Sequence, residues 1–234
     1  MTTQKESPFV EKYLTPIAVL LGAIIIAVAF AFGSGERPAT TGDGQPIAKV
    51  DIKKVQTGSS PVVGSPTAPI AIAVWFDYQC PFCKRFELEA LEQVYQAYVV
   101  TGKIRIVYKD FQFLGPDSMD AAVFARGVWE AYPDQYYAWH QAVMTAQDEE
   151  HGGFGDLASV AEVSRGVAGV DADRVLALVE KNRATYEAAI EADREEGSSF
   201  GINGTPGAII GTALISGAQP YSAVKAALDA ALAK

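Results

Sequence analysis

The chain has 234 residues, 49% of them hydrophobic and 20% charged, with a formal net charge of -9. This is ordinary globular composition with room for a sizeable core in one or two domains. An acidic surplus without a basic stripe excludes a protein that grips a phosphate backbone, and two cysteines are too few for a disulfide-rich scaffold.

In chain order, residues 1–13 are a short leading segment whose lysines and glutamates nearly cancel. Residues 14–32 follow within an uncharged apolar run from Leu14 to Gly33 (LTPIAVLLGAIIIAVAFAFG). Twenty residues in a helix reach about 30 Å, one hydrocarbon thickness. The run is longer than the roughly 7–15-residue core of a cleaved leader, although Ala29-Phe30-Ala31 would pass as a cleavage site. It therefore reads as an uncleaved single-pass anchor. Flanking charges do not orient it, because Lys5 and Lys12 precede it and Arg37 and Lys49 follow it. Residues 33–60, rich in Gly, Thr, Ser and Pro, read as a flexible linker able to span about 80 Å, with a weak strand-like alternation over 47–55.

The folded part is expected over 61–234. Residues 68–76 (APIAIAVWF) predict a strand buried on both faces. From Phe82 to Tyr98 the apolar residues fall at helical spacing, and Ile104–Tyr108 predicts a second strand. This strand–helix–strand order suits parallel pairing. Residues 118–199 read as a helical block. One helix spans 118–131 and a second lies about 134–147. A loop at 148–155 follows, Asp156 and Asp171 are N-caps of the next two helices, and a last long helix spans about 183–198. Ala208–Ile210 and Ala213–Ile215, separated by Gly211-Thr212, predict a hairpin. Residues 220–233 close the chain as an amphipathic helix.

The two cysteines, Cys80 and Cys83, stand in FDYQCPFCKRF, between the first strand and its helix. A structural zinc site needs four ligands, and the two histidines, His140 and His151, lie eleven apart rather than three to five. Haem attachment needs a histidine where Lys84 stands. A bridge closing so small a loop stabilises little. Thiol–disulfide exchange remains. Cys80 falls at the helix start, where free N–H groups and the dipole favour an accessible thiolate. Cys83 lies one turn on and under cover, able to resolve a mixed disulfide. Pro81 suits an early helical position. Phe82 has two readings, a core contact or part of an apolar rim. Far along the chain, GINGTPG (201–207) puts Thr205-Pro206 directly before an apolar strand. A cis bond would accommodate the proline there and expose the Thr205 backbone as an edge for an extended substrate. His140, in YYAWHQAV, reads as a packed, hydrogen-bonded histidine.

VVGSPTAPIAIAVWFDYQCPFCKRF, IRIVYKDFQFLGPDS and GINGTPGAIIGTALISGAQPYSAVKAAL together resemble the DsbA-like thiol–disulfide oxidoreductases of the thioredoxin superfamily, in particular the membrane-anchored bacterial branch. The resemblance implies an α/β thioredoxin-like fold with an all-helical domain inserted at about 118–199, preceded by a single N-terminal transmembrane helix. By position it makes Cys80 the nucleophile, Cys83 the resolving cysteine, Pro81 and Phe82 the tuning dipeptide, and Thr205 and Pro206 the cis-proline, substrate-binding segment. Gln112 departs from the family's apolar or proline residue, an exception expected to touch only a strand end. No metal or other cofactor is implied.

The implied activity is disulfide donation to cysteine-containing exported proteins. A membrane quinone-linked thiol oxidase would be the redox partner, and the catalytic domain would be a monomer held outside the cytoplasmic membrane. A tethered reductase or isomerase on the same scaffold is the alternative, and a peptide-binding chaperone module is a third reading.

Overall fold

The computed structural model describes residues 50–150 and 152–233. The expected anchor at 14–32 and most of the expected linker lie outside these residues. No helix among the described residues is long and apolar enough to cross a membrane.

Five strands form one sheet: β1 (Val62–Val63), β2 (Ile70–Phe76), β3 (Ile104–Asp110), β4 (Gly207–Ile210) and β5 (Ala213–Ser216). Their order is β1-β3-β2-β4-β5. β2 runs parallel to β3, in the register Ile70 with Ile104 to Phe76 with Asp110, and antiparallel to β4, from Ile72 with Ile210 to Trp75 with Gly207. β4 and β5 form the antiparallel hairpin that Gly211-Thr212 announced. β2 is thus central, and its unbroken apolar sequence follows from burial on both faces. Ile72, Val74 and Phe76 enter the larger core, and Ala73 and Trp75 enter a smaller one on the opposite face with Val107, Phe111, Phe200, Ile202 and Ile209.

The β2–β3 crossover is a continuous helical segment over residues 81–99, α1. It opens as Pro81–Arg85, widens into a π-helical stretch at Phe86–Leu91, returns through Glu92–Val94 and widens again at Tyr95–Val99. Phe86, Ala90, Leu91, Val94 and Tyr98 bury its inner face. Four helices follow β3: α2 (Pro116–Ala131), α3 (Tyr136–Ala146), α4 (Leu157–Arg165) and α5 (Ala172–Ser199). Asp156 caps α4 through the N–H of Ser159, and Asp171 caps α5 through those of Asp173 and Arg174. The two helices expected between 171 and 198 are one helix of 28 residues. Nothing in DRVLALVEKNRATYEAAIEADREEGSS breaks it, and Arg183, partly buried near its middle, pairs with Asp120 of α2. α6 (Tyr221–Leu232) packs Val224 and Leu228 into the larger core.

α5 reaches the second face of the sheet by close approach. A Cβ on Gly197 would stand 2.7 Å from Cδ1 and Nε1 of Trp75, whose indole N–H donates to the carbonyl of Asp193 at 2.8 Å.

Residues 50–60 differ from the expected flexible linker. Ile52–Lys54 form a turn of 3₁₀ helix capped by Asp51, and the Ile52 N–H donates to the Gly211 carbonyl at 2.8 Å. Within the described part of the expected alternation, Val50, Ile52 and Val55 pack on the smaller core, and 52–54 form the 3₁₀ turn rather than a strand. Ser60 is buried, with its hydroxyl donating to Asp193 at 3.0 Å. The packed domain therefore includes these residues.

Candidate active site

Cys80 follows the C-terminal end of β2 and is the N-cap of α1, with extended backbone (φ -81°, ψ 116°), and Pro81 occupies the first helical turn. The Cys80 carbonyl accepts the N–H groups of Cys83 at 3.0 Å and Lys84 at 3.2 Å, which starts the helix. Both cysteines are free thiols. The Thr205–Pro206 peptide is cis. Because β4 runs antiparallel to β2, the segment before β4 arrives at the same end of the sheet. The Cys80 thiol donates to the Thr205 carbonyl at 3.5 Å. Cys80, Cys83, Thr205 and Pro206, separated by more than 120 residues, are thereby brought together.

The two sulfurs differ sharply. The Cys80 thiol is drawn down to about 6, first by the hydrogen bond it shares with Cys83, then by the Thr205 side chain and the backbone N–H groups of Cys83 and Phe82, with burial opposing. Burial pushes the Cys83 thiol well up, and the Cys80 sulfur adds to this by hydrogen bond and by charge. Sequence reasoning credited the helix end. The structure makes the neighbouring thiol the largest contributor and the helix N–H groups the smaller ones. Nor is Cys80 open to solvent as expected. It is 5% exposed and Cys83 2%, although Pro81 and Phe82 between them are exposed. Phe82 resolves its two readings as rim. Its ring is 55% exposed, with the Arg85 guanidinium 5.1 Å from the ring centroid.

Several residues that hold this turn carried no obvious signal. The Gln147 side-chain amide donates to the carbonyl of Tyr78 at 2.5 Å and of Cys80 at 3.3 Å. The Lys84 ammonium donates to the carbonyls of Thr145 at 3.1 Å and Gln147 at 2.6 Å. The Gln79 amide donates to the carbonyl of Phe154. The loop after α3 is thus stitched to the cysteine turn by three side chains of ordinary polar type. Gly155, at φ +117°, leaves room for Gln79 where a Cβ would collide with its amide nitrogen.

Beneath the site lies a buried polar and aromatic box. Glu87 accepts from Tyr108 at 3.1 Å and Gln141 at 2.5 Å. His140 is fully buried, its Nε2 3.4 Å from Glu87 and its Nδ1 3.4 Å from the Tyr78 hydroxyl, among Phe76, Tyr108 and Tyr136. Gln112 is not a peripheral strand end. It is buried, donating to Asp110 at 3.0 Å and accepting from Ser118 at 2.9 Å. Among the described residues no three His, Cys, Asp or Glu side chains converge as a metal site.

Residues 56–230 match the family profile described as thioredoxin. The chain belongs to the thioredoxin family. A relative in this family, disulfide bond formation protein D of Bacillus subtilis (strain 168), is 20% identical over 169 residues, covering 72% of this chain and 75% of that protein. The crystal structure of oxidised BdbD from Bacillus subtilis superimposes with a TM-score of 0.70 at 20% identity, covering 85% of this chain and 100% of the other. Chlamydia trachomatis DsbA superimposes with 0.66 at 19% identity, covering 75% and 93%. At such identities the superpositions speak for fold. The family match, the paired cysteines and the disulfide bond formation relatives make this thioredoxin-family chain a DsbA-like protein disulfide oxidoreductase.

Proposed function

We propose that this protein donates its Cys80–Cys83 disulfide to cysteine-containing exported proteins. A substrate thiolate attacks the Cys80 sulfur, and Cys83 leaves as a thiolate and takes a proton. A second substrate thiolate then attacks the substrate sulfur of the mixed disulfide, forming the substrate disulfide and releasing Cys80 as a thiolate. Two electrons pass from the substrate dithiol to the enzyme disulfide. In the reverse sense Cys80 attacks and Cys83 resolves. The observation that carries this reading is the geometry of the two thiols, Cys80 at the N-cap of α1 with its sulfur at the Thr205 carbonyl and Cys83 buried one turn on, and the displacement of Cys80 down to about 6 and of Cys83 well up agrees with it. A stabilised thiolate favours the reduced form and so makes the disulfide oxidising.

Thr205 and Pro206 present the edge along which an extended substrate pairs, and Pro81 and Phe82 tune the couple. The domain acts outside the cytoplasmic membrane, tethered by the apolar segment at 14–32, and a quinone-linked membrane thiol oxidase restores the disulfide. The likeness to disulfide bond formation proteins supports the direction, and the redox poise of the two compartments supports the location.

Trapping tests the reading. A full-length Cys83→Ala protein, expressed in its membrane, should accumulate mixed disulfides through Cys80 with exported cysteine proteins. Absence of such adducts refutes the exchange role. Equilibration of wild type with glutathione buffers decides direction. A potential above about -200 mV supports donation, and one near the roughly -270 mV of thioredoxin supports the reductase alternative.

A further inference from the structure

The turn between β2 and α1 contains an acid that no step of the exchange consumes. Asp77, three residues before Cys80, is fully buried. Its Oδ1 accepts the Gln79 N–H at 2.8 Å and the Ser118 hydroxyl at 2.5 Å. Its Oδ2 accepts the N–H groups of Phe113 at 2.9 Å and Leu114 at 3.2 Å. Its own carbonyl accepts the Cys80 N–H at 3.2 Å. Three of the carboxylate's four partners are backbone N–H donors, and the fourth, the Ser118 hydroxyl, has one proton to share between Asp77 and Gln112 Oε1. Burial pushes its pKa up while the hydrogen bonds pull it back.

These bonds act on Cys80 in two ways. The bond to Gln79 closes an Asx turn, and the bond from Cys80 closes the next turn, so residues 77–80 leave the strand along one path. The bonds to Phe113, Leu114 and Ser118 tie that path to the loop after β3 and to the first turn of α2. Cys80 reaches its extended N-cap conformation from this fixed base. In that conformation the Phe82 and Cys83 N–H groups and the Thr205 segment act on its sulfur.

We propose that Asp77 is a positioning residue for the thiol–disulfide reaction, its carboxylate locking the turn from which the Cys80 sulfur meets the helix end and the Thr205 segment. The proposal rests on Cys80 as the exchanging sulfur. Charge and geometry pull in opposite directions here, which makes the role measurable. A nearby negative charge disfavours a thiolate, so removing it would ease ionisation of Cys80 if charge were its contribution. Loosening the turn would make ionisation harder.

The test is the pH dependence of Cys80 alkylation by iodoacetamide, read at that residue by mass spectrometry in the reduced full-length protein. Wild type is compared with Asp77→Asn and Asp77→Glu, with circular dichroism as the check on folding. Asn keeps the shape but offers a single acceptor oxygen, so N–H groups of the tied loop lose their acceptor. Glu keeps the charge and displaces it. Both are expected to raise the alkylation midpoint from about 6 by about one pH unit, a tenfold fall in the ionisation constant that takes the thiolate fraction at pH 7 from about nine-tenths to about half, and to lower the reduction potential at unchanged helix content. An unchanged midpoint in a folded variant overturns the proposal, and a fall with Asn would mean that Asp77 acts by charge. Should both variants fail to fold, Ser118→Ala, which removes one donor and keeps the acid, decides. A midpoint rise of about 0.3 unit, a factor of about two, upholds the proposal, and no rise overturns it. Because alkylation needs no protein substrate, this outcome is independent of whether Cys83→Ala traps partners.

Discussion

Reduced Cys80 ionises at about 6 in the fold and at about 9 as an ordinary thiol. Between those values the native state has lost a proton that the unfolded chain still holds, so stability rises with pH. The contribution is complete above about pH 9, declines as pH falls and is absent below about pH 6. Cys83, displaced upward, changes stability only above the ordinary thiol value, with the opposite sign. The oxidised protein has neither thiol to titrate. The melting temperature of the reduced form should therefore climb relative to the oxidised form from pH 6 to pH 9, and paired thermal melts across that window measure it. A flat difference would mean that Cys80 is not depressed. Phe82 carries no charge, and the Arg85 guanidinium over its exposed ring is screened by solvent. A Phe82→His variant, placing a cation closer to the sulfur, should be the more oxidising of the two in glutathione buffers. The CPFC spacing was readable because two cysteines one turn apart at a helix start have few chemical uses. Asp77, Gln79, Lys84 and Gln147 were not readable. Their roles arise from backbone groups contributed by distant loops, and their side chains are of types common on any surface.

Among the elements, β2, β3, the β4–β5 hairpin and the caps at Asp156 and Asp171 followed from period, apolar runs and capping chemistry. Each of these is decided by a few adjacent residues. The π turns of α1 and the unbroken length of α5 were not readable, because tertiary packing sets them. The loop over 147–155 shows the same dependence. Its sequence is polar and unremarkable, yet it anchors the cysteine turn. Gly155→Ala should force Gln79 out of its seat and strain a positive φ. The expected loss is about 1–3 kcal/mol in urea unfolding, with faster exchange of the Cys80 and Cys83 amides reporting the freed turn.

Over the whole molecule, the two sides of the sheet are sealed differently. The larger core is aliphatic and aromatic. On the other face an ion cluster ties α5 to the sheet and to the start of the domain. Lys109, 2% exposed, pairs with Asp193 and with Glu196 at 2.9 Å and donates to the Gln56 carbonyl at 2.8 Å. Arg126 bridges Asp110 at 2.6 Å and Asp193 at 2.5 Å. Lys109→Met would leave Glu196 without its cation and Asp193 with Arg126 alone. Breaking a buried pair from one side costs about 3–5 kcal/mol, so chemical denaturation should show a loss of that order. A Lys109→Met, Asp193→Leu double variant should recover part of it. This cluster explains why residues 50–60 fold with the domain although their composition reads as a tether, since Asp193 and Glu196 of α5 and Lys109 of β3 supply the partners of Gln56 and Ser60.

The 3₁₀ turn at Ile52–Lys54 bonds to Gly211, at the pole of the sheet where β2 begins, whereas Cys80 stands where β2 ends. Seven strand residues, about 20 Å, separate the two poles. A bead or sensor chip coupled at the exposed Lys53 would therefore grip the domain by its base. The reactive sulfur would be turned outward, towards whatever flows past.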